Sequence, residues 1–363
     1  PDKNNDWINQ KDETYQSFRP LNEPKSEGNI FIQRLVGVAT SRDSWVYGFS
    51  KDKVKENMEF MIENYNSEVK RLKSLTNPEM RLSMINRDEK YIKWTRSLLN
   101  RFNKKDTFEF DENKLVKSMY RPFTKKWLYY DTNWVEMPSQ YHKYDLNNLL
   151  MLVVPGTGSK HDFSALVSNL IPEKHFQFNG QVMFLENNEL QSESLFADSD
   201  NSNISDDFLS KIKLSSEDTF YFIYGLLHSK EYRSKYKNEL LKGSPRIPNV
   251  KYKEKYVEIG RKLADLHLNY ESVDPYPDVL IEAKTNPSYK VQKMKQPKKG
   301  VLDKIIYNTD ITISNIPEKA YEYVVNGRSA IEWIIDQYRV KTDKKSGIID
   351  DPNLYSEDEK YIF

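Results

Sequence analysis

The chain has 363 residues, with 55 Lys and Arg against 54 Asp and Glu, so its formal net charge is +1. This balance excludes a global basic field, and any contact with DNA has to come from local clusters of cations. The absence of cysteine excludes disulfides, zinc ribbons and thiol nucleophiles and is compatible with a reducing cytoplasm. No apolar run is long enough to predict a membrane span, and no signal peptide is recognisable.

Residues 1–27 are polar and on their own predict an extended arm. Their scattered apolar anchors are Trp7, Ile8, Tyr15 and Phe18. Because the chain begins at Pro1 rather than Met, we expect it to be a piece of a longer protein.

Residues 29–49 have strand character, since β-branched and aromatic residues predominate. Within them Thr40, Ser41 and Arg42 supply hydroxyl and guanidinium donors suited to phosphates or base edges. The alternative is a hairpin turn with an ion pair between Arg42 and Asp43. The residues alone favour this turn.

Helical periodicity replaces the strand pattern from residue 50 to about residue 105. The first apolar stripe comprises Val54, Met58, Met61, Ile62 and Tyr65. A second helix is predicted to begin at Asp88 and run to Phe102. We interpret this region as a helical spacer and its methionines as core residues.

Basic and aromatic residues alternate in 106–131. The cations are Arg121, Lys125 and Lys126, and the aromatic residues are Tyr120, Phe123, Trp127, Tyr129 and Tyr130. Such interleaving suits a groove that follows a nucleic-acid backbone. Alternatively, Pro122 makes a turn, the aromatic side chains are core and the cations are simply outside. The residues alone do not decide between the two.

Residues 149–185 are predicted to form strands and turns. The segment GTGSK at 156–160 lacks the spacing of a P-loop, so a tight turn that carries Lys160 toward DNA is the better prediction. Residues 186–207 are acidic and rich in Ser and Asn, which predicts an exposed loop away from a polyanion.

The stretch 215–271 predicts three amphipathic helices. Ser215 is the predicted N-cap of the first helix and Ser229 that of the second, which Gly243 ends. Gly260 inside the third helix predicts a close helix contact, because a mid-helix glycine otherwise costs about 1 kcal/mol. The apolar stripe predicted for the third helix is Tyr256, Ile259, Leu263, Leu266 and Tyr270.

The same stretch has a cationic face, and a charge run of this kind is usually solvated. Its candidate phosphate contacts are Arg233, Lys237 and Arg246. Further along, KVQKMKQPKKG at 290–300 has five lysines and no acid, and Lys293 and Lys295 are its candidate contacts. It is predicted to be a basic edge strand or loop, where lysines also protect an edge from aggregation.

Two motifs point toward catalysis. Asp278, Glu282 and Lys284 follow the order used by metal-dependent nucleases, although such sites need carboxylates that converge from separate strands. The segment TNPSY at 285–289 approaches the Asn-Pro-Pro-Tyr motif that stacks a flipped adenine but lacks the second proline.

Several stretches, found in the same order, resemble the C-terminal specificity region of the type ISP restriction–modification enzymes. They are DWINQ at 6–10, GVATSRD at 37–43, YRPF at 120–123, YFIYGLLHSKEYRSKYKNELLKGSPRIP at 221–248, GRKLADLHLNYE at 260–271 and NGRSAIEWIIDQYRVKTDKKSGIIDDPNLY at 326–355. The resemblance therefore spans nearly the whole chain and strengthens the interpretation of GVATSRD and YRPF as DNA-facing.

The resemblance implies a mixed α/β (α+β) fold. Residues 1–27 would trail from an upstream methyltransferase domain, 28–105 would form an opening strand segment and helical spacer, and 106–363 a target-recognition domain. The arm would then have lost its own domain, so we expect its apolar residues to pack poorly.

The implied function is recognition of a double-stranded DNA sequence, which places one adenine in an upstream N6-adenine methyltransferase and gates translocation and cleavage. This piece itself would have no catalysis. S-adenosylmethionine, ATP and Mg²⁺ would bind other parts of the bacterial enzyme, and the methyltransferase and translocase domains of the same polypeptide would be its protein partners.

The expected DNA contacts combine residues from all these segments. They are Thr40, Ser41, Arg42, Arg121, Lys125, Lys126, Lys160, Arg233, Lys237, Arg246, Lys293 and Lys295. Two other functions stay open, a small metal nuclease that uses Asp278, Glu282 and Lys284, and a docking module that binds no DNA.

Overall fold

The computed structural model describes residues 13–147, 149–186 and 202–363. Its helices are α1 Glu13–Ser17, α2 Asp43–Val46, α3 Lys51–Arg71, α4 Pro78–Ser83, α5 Arg96–Lys104, α6 Asp206–Ile212, α7 Ser216–Leu227, α8 Lys230–Lys235, α9 Lys237–Lys242, α10 Lys253–Leu268 and α11 Ala330–Gln337. Its strands are β1 Arg19–Pro20, β2 Leu35–Val36, β3 Tyr47–Gly48, β4 Leu115–Arg121, β5 Thr124–Tyr129, β6 Met151–Val154, β7 Leu166–Ser168, β8 Ile171–Pro172, β9 Gln181–Phe184, β10 Arg246–Ile247, β11 Leu280–Ala283, β12 Ile305–Ile306, β13 Ile311–Ser314, β14 Val324–Val325, β15 Arg328–Ser329, β16 Lys341–Thr342 and β17 Ile349–Asp350. The predicted mixed α/β (α+β) class is confirmed, since helices and antiparallel strand pairs build the fold together.

The chain forms two compact units, and each unit is assembled from separate stretches of sequence. Unit 1 comprises Pro1–Gly37, Ser139–Pro275 and Tyr323–Arg328. Unit 2 comprises Val38–Pro138, Tyr276–Glu322 and Ser329–Phe363. The boundaries predicted at 27/28 and 105/106 concern modules of a longer polypeptide and stay a prediction.

Unit 1 is built on an antiparallel sheet with the strand order β2-β9-β6-β7. The central strand β6 pairs Val153 with Val182 on one side and with Leu166 on the other. Its four residues are all buried, which is why the sequence shows a continuous apolar run rather than alternation. Apolar residues of the sheet and of α7 join one core.

Helices α7 and α10 pack against each other through two glycines. A Cβ on Gly260 would lie 1.9 Å from the Tyr221 carbonyl oxygen, and one on Gly225 would lie 2.2 Å from that of Tyr256. The close contact predicted from Gly260 is therefore confirmed. The predicted caps are also confirmed, because Ser215 Oγ accepts from the Asp218 N–H at 3.0 Å and Ser229 caps α8.

The stripe predicted for α10 is partly wrong. Ile259 and Leu266 are 50% and 48% exposed, while Gly260 and Ala264 are buried. The small residues allow the backbone of α7 to approach closely. The buried face of α10 is therefore the one with the smallest side chains, not the most hydrophobic one. The second predicted helix is in fact two, since it breaks at Tyr236 between α8 and α9.

Unit 2 contains the sheet order β3-β5-β4, against which α3 packs. The stripe predicted for α3 is buried as expected. The helix predicted from Asp88 begins only at Arg96, because residues 86–94 form turns held by side-chain bonds such as that from the Trp94 indole N–H to the Asn86 carbonyl oxygen at 2.7 Å. A second sheet, β11-β13-β12, adjoins a core that includes Phe49, Val291 and Met294.

The described part of the arm packs well, so the expectation of poor packing is wrong there. Tyr15 is buried on α1 and Leu21 is fully buried in the core of unit 1. The predictions that concern Trp7, Ile8 and most of the acidic loop fall on residues 1–12 and 187–201, which lie outside the described residues. Within the described ranges, no helix has the length and apolar character needed to cross a membrane.

Candidate nucleic-acid interface

The segment 290–299, which we call the lysine segment, is an extended stretch in unit 2. Val291 and Met294 point into the core, whereas its five lysines are exposed. The backbone is held by single bridges from Lys293 to Arg339 and from Lys295 to Ile306. None of these lysines forms an ion pair with a carboxylate in the described parts of the chain. The segment is thus an unneutralised cationic surface.

The β4–β5 hairpin separates two lysines that are adjacent in sequence. Lys126 points inward and is 4% exposed, while Lys125 lies on the opposite, half-exposed face. The Lys126 ammonium lies 2.5 Å from a carboxylate oxygen of Asp350 and over the rings of Phe49 and Tyr120, 4.5 and 4.3 Å from their centroids. The Lys126 charge is therefore engaged by groups inside unit 2.

Arg121 sits at the end of the same hairpin. Its guanidinium lies 4.0 Å from the Tyr120 ring centroid and donates to the Tyr120 carbonyl oxygen at 2.6 Å. Phe123 takes a left-handed φ of 56° next to Pro122, so the predicted turn is confirmed. Arg121 remains half-exposed at the tip.

The outer hairpin face holds a cation–aromatic group that the sequence interpretation missed. The ammonium groups of Lys51 and Lys117 lie 5.6 and 5.7 Å from the Trp127 ring centroid. Register places Lys117 directly opposite Trp127 in the ladder. The alternation of side chains along β4 could have predicted that Lys117 lies on this face. The position of Lys51 could not be predicted in this way, because it belongs to α3, which is distant in sequence.

The Thr40–Arg42 turn is mostly inside unit 2. Thr40 is buried and donates to the Asp43 carboxylate, and only Ser41 is exposed, at a left-handed φ of 57°. Asp43 also accepts from the Tyr120 hydroxyl at 3.0 Å and begins α2, so the alternative hairpin with an Arg42–Asp43 pair does not form.

Arg42 itself is 2% exposed. Its guanidinium donates to the Thr95 hydroxyl and lies 5.8 Å from the Trp134 ring centroid. Burial lowers the pKa of Arg42 to about 10, although the charge of Glu136 opposes this. The side chain is enclosed because aromatic and helical elements of unit 2 surround the turn.

Arg233 in unit 1 is similarly enclosed, in a group of neutral rings. Its Nε donates to the Leu227 carbonyl oxygen at 2.5 Å. Burial, aided by the Arg233 charge, lowers the pKa of His228 to about 3 and that of His267 to about 4. His267 bonds to the Tyr224 hydroxyl, so the cluster is a buried polar network.

Arg246 clamps the arm onto unit 1. Its guanidinium donates to the Phe18 carbonyl oxygen at 2.8 Å and pairs with Glu23 at 2.6 Å. Next to it, β1 and β10 pair as a two-stranded sheet. Both terminal nitrogens of the Arg246 guanidinium therefore donate to groups of the protein itself.

Lys160 and Lys237 are exposed cations of unit 1. Lys160 follows a turn in which Gly158 has a φ of +86°, so the predicted tight turn is confirmed. Lys237 pairs with Asp162 at 2.8 Å, but both side chains are more than half exposed, which makes this a weak pair.

The family model described as the Type ISP C-terminal specificity domain matches residues 29–363. The chain belongs to this family. A search of curated proteins finds no match for the specificity domain.

Solved structures similar to this specificity domain include two Type ISP restriction–modification enzymes and DrdV, each in complex with DNA or a DNA substrate mimic. A nuclease-deletion mutant of the Type ISP enzyme LlaGI with a DNA substrate mimic matches with a TM-score of 0.89 and 46% identity, over 100% of this chain and 33% of that one. The ATP-dependent Type ISP enzyme LlaBIII bound to DNA matches with a TM-score of 0.88 and 41% identity, over 100% and 24%. The DrdV–DNA complex matches with a TM-score of 0.81 and 25% identity, over 100% and 37%. The specificity domain therefore spans about a quarter to a third of the length of these chains.

The nuclease candidates of the specificity domain are engaged elsewhere. Glu282 on β11 accepts from the Ser314 hydroxyl at 2.7 Å, and Lys284 pairs with Asp310 at 3.0 Å. Across the described ranges, no three His, Cys, Asp or Glu side chains come together in a way that could hold a metal ion. These residues do not fit a metal-dependent active site.

Proposed function

We propose that this specificity domain recognises a sequence in double-stranded DNA for a restriction–modification enzyme. The observation that carries the proposal is its likeness along the full chain, at 46% and 41% identity, to two Type ISP enzymes solved with DNA. The lysine segment supports it, because unneutralised cations on an exposed ridge are what phosphate contacts require.

We further propose that recognition places a target adenine in an upstream N6-adenine methyltransferase and gates translocation and cleavage. S-adenosylmethionine, ATP and Mg²⁺ would then bind the other domains of the polypeptide, which are the partners of this one. Within the specificity domain the exposed candidates for DNA contact are Ser41, Lys160, Lys237, Lys293 and Lys295. Arg121 and Lys125 are half-buried candidates. The other five candidates bind groups of the protein itself in this structure, and their DNA contacts stay a prediction. They are Thr40, Arg42, Lys126, Arg233 and Arg246.

The proposal can be tested by duplex binding. Selection from a random pool of duplexes should enrich one sequence, and fluorescence anisotropy should then give its affinity at several salt concentrations. Lys293→Gln with Lys295→Gln should reduce the slope of log K against log salt by about 2, because each lost phosphate contact removes about 0.9. Lys255→Gln with Lys262→Gln removes the same charge from exposed positions on α10 and should leave the slope unchanged. No enrichment and no affinity for any duplex at low salt would reject the proposal.

A second candidate function is docking onto another part of the enzyme. Ile259 and Leu266 lie seven residues apart on α10, about two helical turns, and are 50% and 48% exposed. Exposed apolar side chains on one face of a helix are typical of a surface that receives a partner. If the methyltransferase part binds the wild-type chain but not Ile259→Ser with Leu266→Ser, while no duplex binds, docking replaces DNA recognition as the function.

A further inference from the structure

A cleft of about 300 Å³ lies within unit 1, and its lining includes none of the residues predicted to contact DNA. Three loops form its walls, residues 22–24 after β1, 155–157 after β6 and 243–245 after α9. Arg34, just before β2, and Gln181 on β9 contribute side chains from the sheet. The cleft is far larger than the space that one water needs.

The charges that line the cleft favour an anion. Arg34 is half-exposed, and its guanidinium forms no ion pair with a carboxylate of the described residues. Lys242 also lines the rim of the cleft. The acid among the lining residues is Glu23, and its carboxylate is held at 2.6 Å by Arg246, which lies outside the cleft lining. The net charge that the cleft presents is therefore positive.

The loops also present hydrogen-bond donors. Ser244 Oγ accepts from the Asn22 N–H at 3.3 Å, which leaves its hydroxyl proton available to an acceptor in the cleft. The backbone N–H of Thr157 meets no acceptor within the described ranges. A guanidinium, a hydroxyl and a backbone N–H are the groups that bind phosphate oxygens in proteins.

The shape of the cleft is built into the turn after β6. Gly156 donates its N–H to the Phe178 carbonyl oxygen at 2.7 Å, and a Cβ at this position would lie 2.7 Å from the Asn179 carbonyl oxygen. Only glycine therefore allows the 155–157 loop to rest against the 178–181 turn. This contact holds Thr157 at the rim of the cleft, so the donors are placed by packing rather than by chance.

We infer that this cleft binds a phosphate of the DNA backbone, with Arg34 as the residue that grips its oxygens. The inference rests on the proposed function and extends it to a residue and a site that sequence patterns did not reveal. Arginine is suited to the task because its planar fork can bond two phosphate oxygens at once.

Arg34→Gln should weaken binding of the selected duplex and of an unrelated duplex equally, by about tenfold at moderate salt, and reduce the salt slope by about 1. Arg34→Lys keeps the charge and should restore the slope while recovering affinity only in part. Lys262→Gln is the matched control, since it removes one exposed cation from unit 1, and its affinity should equal that of the wild type. Thermal unfolding of each variant checks that the fold is intact.

Affinity and slope unchanged in a folded Arg34→Gln, while the wild type binds duplex, would overturn this inference and leave the proposed function standing. Failure of the wild type to bind any duplex would reject both. In a separate arm, inorganic phosphate is added without DNA. If it raises the Tm of the wild type but not of Arg34→Gln, while duplex binding is equal for both, the cleft holds free phosphate and the assignment to DNA is wrong.

Discussion

The lysine segment and Lys126 belong to the same unit and use the same side chain for opposite purposes. The lysine segment holds its charges in solvent and has no carboxylate partner among the described residues, whereas Lys126 is buried between two aromatic rings and paired with Asp350. Basic residues interleaved with aromatics are therefore an ambiguous signal in a sequence, because the rings that would stack on bases can equally build a core around a cation. A run of lysines without acids or aromatics cannot be buried in this way, because it supplies neither a carboxylate partner nor rings to surround the charge.

The largest expected effect concerns the interior of unit 1, where His228 and His267 are held neutral beside Arg233. Their folded pKa values, about 3 and about 4, lie below the usual 6.5, so the unfolded chain binds more protons below pH 6.5. The free energy of unfolding should therefore be fully retained above pH 6.5 and fall by about 1.4 kcal/mol per pH unit for each histidine as the pH drops toward 4. Urea titrations across this range measure it.

His267→Gln removes one of the two titrating groups, so its unfolding free energy should depend on pH less steeply by about one proton over the same range. Equal slopes for this variant and the wild type would show that the histidine cluster does not set the acid sensitivity.

The next effect is expected when the buried Lys126 ammonium loses its carboxylate partner. Asp350→Asn keeps the shape of the side chain but removes the charge that faces Lys126, and we expect a loss of about 3 kcal/mol in the free energy of unfolding. Chemical denaturation gives the value. A change below about 1 kcal/mol would mean that the aromatic rings alone suffice to hold the cation, and the contrast with the lysine segment would weaken.

Lys125 and Lys126 give a sharper version of the comparison, because they are neighbours on opposite faces of β5. Lys125→Gln should lower the unfolding free energy by less than about 1 kcal/mol and lower duplex affinity by a few-fold, with a smaller salt slope. Lys126→Gln should do the reverse, since it destabilises unit 2 and leaves the exposed charge unaltered. Fluorescence anisotropy measures duplex affinity and denaturation measures stability for both variants. If both variants lose the same property, the two lysines do not have separate roles.

The smallest effect is expected at Lys284, whose side chain is 65% exposed and pairs with Asp310 at 3.0 Å. Lys284→Gln should change the unfolding free energy by less than about 1 kcal/mol, because an exposed ion pair is screened by solvent. Thermal and urea unfolding of this variant set the baseline against which the Asp350→Asn result is judged. A loss comparable to that of Asp350→Asn would show that burial is not what distinguishes the two pairs.

Local chemistry made several features of the fold predictable. Ser215 and Ser229 cap their helices because a side-chain oxygen satisfies an orphan N–H whatever the surroundings. Gly260 marks a backbone contact because nothing else explains its cost inside a helix. The family was also recognisable from the order of word-like stretches, since these span nearly the whole chain.

Other features depended on which surfaces meet. The exposure of the lysine segment could be expected from the sequence, because five lysines without an acid predict a basic edge strand or loop. The burial of Arg42 could not, because Thr95 and Trp134 lie 53 and 92 residues further along the chain. Neither could the outward position of Ile259, which follows from the glycine contact between α7 and α10, nor the cleft that Arg34 lines, because three separate loops form it. Caps, periodicities and family membership could be read from the sequence, because they are properties of neighbouring residues. The burial of Arg42 and Lys126 could not, because Thr95 and Asp350, which hold them, lie far along the chain.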